Sequence, residues 1–115
     1  MSIDDDMEVQ TSELEWAFGV ARQFPAQITG FFPRTIVTRS PGNYDYVIPH
    51  LSKRDYPYNV VLTGSGTFFN SRWLYVYSHE LPRKVRDYVD EHFNCEDIAF
   101  NMMMSNVTGL PPVLS

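Results

Sequence analysis

Three adjacent carboxylates lie near the start of the chain, at Asp4, Asp5 and Asp6, directly after the apolar Ile3. Neighbouring carboxylates repel one another unless a cation or hydrogen-bond donors compensate. Hard divalent ions prefer carboxylate oxygens, and ligands of α/β sheets collect at the carboxyl ends of the strands. The cluster is therefore either a site that places one carboxylate on a metal ion and another on a ribose, or an acidic turn in water.

A second cluster, Asn94-Cys95-Glu96-Asp97, stands at the start of a predicted helix. Acidic residues in a first helical turn complement the helix macrodipole, and Asp97 at the third helical position would complete a cap begun by Asn94. The same field helps to keep carboxylates ionised, so a carboxylate pair that faces a substrate is the functional alternative.

Other residues with chemical potential give weaker signals. Gly64 and Gly66 follow a strand and predict either a tight turn or a close approach of backbone N–H groups to a ligand. Cys95 is the only cysteine, which excludes a disulfide within the chain. The three histidines lack metal-ligand spacing: His50, His79 and His92.

The composition is that of one modest domain. The chain has 115 residues, of which 43% are apolar and 20% charged, with a net charge of −5. There is no stripe of Lys and Arg, which argues against a nucleic-acid partner. No apolar run approaches the ~20 residues that a membrane span requires.

The chemistry-bearing clusters need strands and helices to position them. Met1–Ile3 is the end of a strand, and "SELE" predicts a helix capped by Ser12 and Glu15 that stops soon after Phe24. Ile28, Phe31 and Phe32 form a short strand that Pro33 ends.

The second half alternates in the same way. We expect a loop with little regular structure over residues 35–58, then a strand at Val60–Leu62. Helices are predicted from near Ser71, from Pro82, and from Asn94 to Gly109, the last one apolar on most sides and buried. Strands alternating with helices indicate an α/β fold class.

Five ordered segments together resemble the C-terminal glycosyltransferase domain of the exostosins, glycosyltransferase family 64. They are "IDDDMEV", "WAFGVARQFPAQITGFFPR", "VVLTGSGTFFNSRWL", "YSHELP" and "NCEDIAFNMMMSNVTGLPP". The resemblance covers Ile3 to Pro112. It implies a GT-A fold with a Rossmann-like nucleotide-sugar half, of which residues 1–115 form one incomplete domain that lacks its N-terminal nucleotide-binding half.

The family further implies a Mn²⁺-dependent, retaining transfer of an N-acetylhexosamine, GlcNAc or GalNAc, from a UDP-sugar to a glycan such as heparan sulfate. By resemblance Asp6 is the metal ligand, Asp4 and Asp5 contact the nucleotide-sugar, Glu96 hydrogen-bonds the donor sugar and Asp97 is the catalytic acid. A disulfide partner for Cys95, a membrane anchor and a homologous exostosin partner would lie outside this chain, and the location would be the lumen of the Golgi or endoplasmic reticulum.

Two alternatives to an enzyme stay open. One is a non-catalytic α/β binding module in which the acids are only helix caps and turns. The other is a degenerate relative that binds a glycan or partner without transfer, since the activity of an incomplete domain on its own is in doubt.

Overall fold

The four helices form close to where capping and periodicity predict them. The computed structural model describes residues 1–49 and 57–115. Its helices are α1 (Thr11–Gln23), α2 (Arg72–His79), α3 (Arg83–His92) and α4 (Glu96–Thr108). Pro82 precedes α3 and Gly109 ends α4 in the left-handed conformation, as expected for these residue types.

Seven short strands form three small sheets in the described residues. They are β1 (Ser2–Ile3), β2 (Thr29–Gly30), β3 (Pro33–Ser40), β4 (Asn43–Val47), β5 (Val60–Val61), β6 (Ser65–Thr67) and β7 (Val113–Leu114). Strand β1 pairs antiparallel with β6, β2 pairs parallel with β7, and β3 lies between β4 and β5, antiparallel to both. A mixed α/β architecture is confirmed, while its assignment as part of a GT-A fold stays a prediction.

The prediction of an irregular loop over residues 35–58 is wrong for residues 35–47. Strands β3 and β4 form a hairpin there, with Thr35 opposite Val47 and Ile36 opposite Tyr46. Pro41 and Gly42 make the turn between them, and Gly42 takes a φ of 76° that suits glycine. The predicted loop also includes residues 50–56, among them His50, and these residues lie outside the part of the chain that the structure describes.

Pro33 begins a strand instead of ending one. It is the first residue of β3 and faces Val61 of β5. Proline has no N–H to donate to a ladder, so within sheets it is confined to places such as the first position of a strand, where that donor is not needed. The turn therefore falls before Pro33, and β3 joins the hairpin to the buried strand β5.

Two predicted N-caps are also wrong. Helix α1 begins at Thr11, and the carboxylate of Glu13 accepts a hydrogen bond from the backbone N–H of Gln10 at 3.3 Å, so Ser12 lies inside the helix. In α4 the residue before the first helical position is Cys95, and the side chain of Asn94 accepts a hydrogen bond only from the N–H of Cys95.

The core lies between α2, α4 and the strands. Its buried members are Ile28, Val61, Trp73, Phe100, Met103 and Met104. The expectation that α4 is buried is confirmed for this face, and it fails for Met102 and Val107, which are exposed. The helix therefore has one core face and one outer face.

Asn101 joins α4 to the edge of strand β5. Its side-chain oxygen accepts a hydrogen bond from the N–H of Val61 at 3.0 Å, and its amide nitrogen donates to the carbonyl of Val61 at 2.8 Å. The same amide donates to the carbonyl of Asp97 at 2.7 Å. Both Asn101 and Val61 are 0% exposed, so these bonds replace the strand that would otherwise pair with this edge.

We expect Asn101→Ala to lower the free energy of unfolding by about 2–4 kcal/mol, because it leaves the buried N–H and C=O of Val61 without partners. Asn106→Ala is the matched control, since Asn106 lies exposed on the same helix. Urea denaturation of both variants measures the difference. An Asn101→Ala loss no larger than that of the control would contradict this account of the fold.

Candidate functional site

The three aspartates form a turn at the end of β1. The N–H of Asp4 donates to the carbonyl of Gly64 at 2.8 Å, and the N–H of Met7 donates to the carbonyl of Asp4 at 3.2 Å. Asp5 and Asp6 therefore occupy the tip of a turn, and all three aspartates are exposed to water. The prediction of an acidic turn at the end of a strand is confirmed. What this turn binds stays a prediction.

Gly64 makes room for the carboxylate of Asp4. A Cβ added to Gly64 would overlap the carboxylate oxygens of Asp4, whereas the next glycine, Gly66, is required by its φ of 81°. The two glycines of "LTGSG" thus have different roles. Gly64 lets the aspartate turn pack against the residues that lead into β6, and Gly66 allows the chain to bend inside β6.

The second cluster stands at the N-terminus of α4. Glu96 is exposed and Asp97 is half-buried. The backbone N–H of Ile98 donates to Oδ1 of Asp97 at 2.8 Å, and the hydroxyl of Tyr46 donates to Oδ2 at 2.7 Å. Both oxygens of Asp97 are therefore held in place, and each keeps a free lone pair. The expected bond between Asp97 and an Asn94 cap does not form.

Tyr46 remains protonated across the physiological pH range. The Tyr46 side chain is 44% exposed, and its partial burial is the main cause of a pKa raised above the ordinary value of 10.0, to which the hydrogen bond and charge of Asp97 add. Glu96 raises the pKa of Tyr46 slightly further, while the positive charge of Arg34 acts in the opposite direction. The hydroxyl is thus a hydrogen-bond donor to a carboxylate and does not compete with it as an anion.

A cavity of about 190 Å³ lies beside Glu96 at the start of α4. Ser2 from β1, Thr63, Tyr77 from α2 and Glu96 from α4 contribute to its lining. The hydroxyl of Tyr77 is buried there and has no hydrogen-bond partner among the described residues. Burial, then the charges of Glu96 and Asp90, raise the pKa of Tyr77. The fold therefore leaves one buried polar atom unsatisfied beside the cavity.

The predicted site residues form two groups, the aspartate turn after β1 and the carboxylates at the start of α4. Ser2, two residues before the aspartates, and Thr63, which precedes the Gly64 that bonds Asp4, share the cavity with Glu96. Within residues 1–49 and 57–115, no three His, Cys, Asp or Glu side chains are arranged to hold a metal ion by themselves. A cation at the aspartate turn would therefore need further ligands besides these side chains.

Two residues of the site, Tyr46 and Tyr77, and one contact, between Gly64 and Asp4, escaped the sequence analysis. Tyr46 was assigned to an irregular loop, although "TIVTRSPGNYDYV" carries the β-branched run, the Pro-Gly turn and the alternation of a hairpin. The position of the Tyr77 hydroxyl, buried without a partner among the described residues, depends on tertiary packing. The contact of Gly64 with Asp4 depends equally on packing between distant segments.

Residues 1–115 match the Glycosyl transferase family 64 domain over their full length. The chain belongs to this family. The family 64 chain is 38% identical over 114 residues to exostosin-1 of Pongo abelii and 38% identical over 117 residues to exostosin-1c of Danio rerio. It is also 38% identical over 116 residues to exostosin-like 2 of Mus musculus. The resemblance found in the sequence is therefore confirmed.

These alignments cover most of this family 64 chain and a small part of its relatives. They include 98% of the chain and 15% of each exostosin-1 relative, and 96% of the chain and 34% of exostosin-like 2. In the part of the chain that the structure describes, no helix has the length and apolar character needed to cross a bilayer.

The raised pKa of Tyr46 predicts how stability depends on pH. The unfolded chain ionises Tyr46 near 10.0 and the folded chain only above that value. Its contribution to folding is therefore complete below pH 10 and falls as the pH rises through the folded pKa. Denaturation of the wild type and Tyr46→Phe should give a difference in stability that shrinks above pH 10. A difference that is constant to pH 11 would contradict the burial and the contact with Asp97.

Proposed function

We propose that this chain carries part of the active site of a Mn²⁺-dependent, retaining glycosyltransferase. The reaction moves an N-acetylhexosamine, GlcNAc or GalNAc, from a UDP-sugar to a glycan such as heparan sulfate. The observation that carries the proposal is the Asp97 carboxylate, which two hydrogen-bond donors hold at a helix N-terminus, next to the Glu96 that lines the cavity. Membership of family 64 supports the reaction class.

The aspartate turn is proposed to bind the nucleotide-sugar. Asp6 would be the metal ligand, while Asp4 and Asp5 would contact the donor, including its ribose. The residues fit the cation, because exposed carboxylates are hard oxygen ligands, and ions of this class are often held by one or two carboxylates together with substrate phosphates. When bound there, Mn²⁺ supplies neutralisation of the charge that develops on the leaving diphosphate.

The carboxylates of α4 are proposed to act on the donor sugar. Glu96 would accept a hydrogen bond from a sugar hydroxyl in the cavity that it lines. Asp97 would face the anomeric carbon, where the transition state gains oxocarbenium character. It would either stabilise that cation or attack it as a nucleophile, and both routes are compatible with retention.

A non-catalytic binding module is the second candidate. One observation favours it: the aspartates are exposed in a turn whose backbone is satisfied, so the fold does not require them to bind anything. The same holds for a degenerate relative. Metal-dependent donor binding and turnover separate these candidates from an enzyme.

The remaining assignments apply to the polypeptide that carries this chain. The chain spans 15% of each exostosin-1 relative and 34% of exostosin-like 2, so we propose it as one part of a larger GT-A domain. A location in the lumen of the Golgi or endoplasmic reticulum, and pairing with a homologous exostosin, follow from the resemblance to that family and belong to the proposal.

The metal assignment predicts that donor binding depends on both Mn²⁺ and Asp6. In the longest natural polypeptide that contains residues 1–115, calorimetry should show binding of UDP-GlcNAc or UDP-GalNAc only with Mn²⁺. Asp6→Asn should abolish it, because the amide removes the negative charge that the cation needs. Glu15→Gln, an exposed acid on α1, is the control. Equal, metal-independent binding in the wild type and Asp6→Asn would refute the assignment.

The role of Asp97 predicts a change in turnover without a change in donor affinity. Asp97→Asn should reduce the rate of transfer by about 100-fold or more, while the donor Kd stays within a few-fold. The amide keeps an oxygen that can accept from the N–H of Ile98, so the fold should tolerate it. Steady-state transfer of radiolabelled sugar measures the rate. Unchanged turnover would leave Asp97 with only its role in the first turn of α4.

A further inference from the structure

The contact between Tyr46 and Asp97 joins two elements that are remote in sequence. The residues are 51 positions apart, and the hydroxyl of Tyr46 lies 2.7 Å from Oδ2 of Asp97. Tyr46 comes from the hairpin strand β4 and Asp97 from the first turn of α4. A local capping pattern therefore does not account for this bond.

A closed path of hydrogen bonds fixes both ends of the contact. Tyr46 on β4 pairs with Ile36 on β3, and β3 pairs with β5 at Arg34–Val60 and Pro33–Val61. Val61 is bonded to Asn101 of α4, which also bonds the carbonyl of Asp97. The hydroxyl and the carboxylate are thus placed by the same framework, and neither depends on an exposed loop for its position.

The chemistry of the pair suits a fixed carboxylate. The N–H of Ile98 holds one oxygen of Asp97, and the hydroxyl of Tyr46 holds the other, so rotation of the carboxylate would break a charge-assisted bond. The raised pKa of Tyr46 keeps its proton on the phenol. The carboxylate is therefore oriented with its remaining lone pairs available to a substrate.

The neighbouring Tyr44 shows that the contact is particular to one residue. Tyr44 lies two positions earlier on the same strand, so its side chain points to the same face of the hairpin. It is 61% exposed and its hydroxyl makes no side-chain hydrogen bond within the described residues. The two tyrosines form a natural matched pair for a test.

We propose that Tyr46 is the positioning residue of Asp97, which holds the carboxylate in the orientation that the sugar-transfer step requires. The inference rests on the proposed function, because it assigns Tyr46 a role through the catalytic acid of that reaction. Tyr46 itself does not touch the donor in this account. Its removal should therefore change turnover and leave donor binding nearly intact.

The test is a double-mutant cycle in the longest natural polypeptide that contains residues 1–115, with UDP-GlcNAc and UDP-GalNAc as donors. Tyr46→Phe should reduce kcat by about tenfold, the effect expected for loss of a hydrogen bond to a charged group, with the donor KM within about twofold. Tyr44→Phe should leave both constants unchanged. In the Asp97→Asn background, Tyr46→Phe should have no further effect on kcat, because it acts through Asp97.

Each outcome decides the inference. An unchanged kcat in Tyr46→Phe, or an equal loss in the Asp97→Asn background, would overturn it while the proposed function stands. A wild-type polypeptide without transfer would overturn the proposed function and, with it, this role. Absorbance titration of the tyrosines checks the contact without activity: Asp97→Asn should lower the pKa of Tyr46, and an unmoved pKa would overturn the inference by itself.

Discussion

The bonds of Asn101 to Val61 are the constraint on which the site depends. Strand β5 pairs with β3 along one edge, and a single side chain satisfies its other edge where another strand would normally lie. The bonds are buried, so water cannot replace them. They lock the position and rotation of α4 relative to the hairpin. The first turn of α4, with Glu96 and Asp97, is consequently placed by the core of the protein.

The two acidic clusters differ in what holds them. The aspartates after β1 are exposed, where water screens their mutual repulsion to about 1 kcal/mol for charges 4 Å apart. Folding therefore does not require a cation at that turn. Asp97 is half-buried and instead relies on two hydrogen-bond donors. The aspartate turn can exchange ligands with solvent, whereas the carboxylate of Asp97 is already held in one orientation before any ligand binds.

Local signals predicted the elements, and non-local packing decided the site. Pro82 and Gly109 determine the conformation of their immediate neighbours, and the aspartates directly follow their strand. The sequence was therefore sufficient to place these features. The hairpin is also encoded locally, but proline and glycine are typical of irregular loops as well as of hairpin turns. The bond from Tyr46 to Asp97 spans 51 positions, and no periodicity or spacing predicts such a contact.

The start of α4 shows how the core maintains a strained backbone beside the site. Phe93 and Cys95 have φ values of 50° and 69°, the two positive values for non-glycine residues in the described part of the chain. Each costs about 1–2 kcal/mol relative to a right-handed conformation. Together they reverse the chain between α3 and α4 within three residues, so that α4 begins directly at Glu96.

Strain of this kind persists only where the surroundings over-determine the conformation. The hydrogen bonds of Asn101 and the burial of Phe100 hold this conformation in place, because they fix α4 one turn after its start. The same bonds that satisfy the edge of β5 thus maintain the sharp entry that turns the carboxylates of α4 towards the hairpin and the cavity.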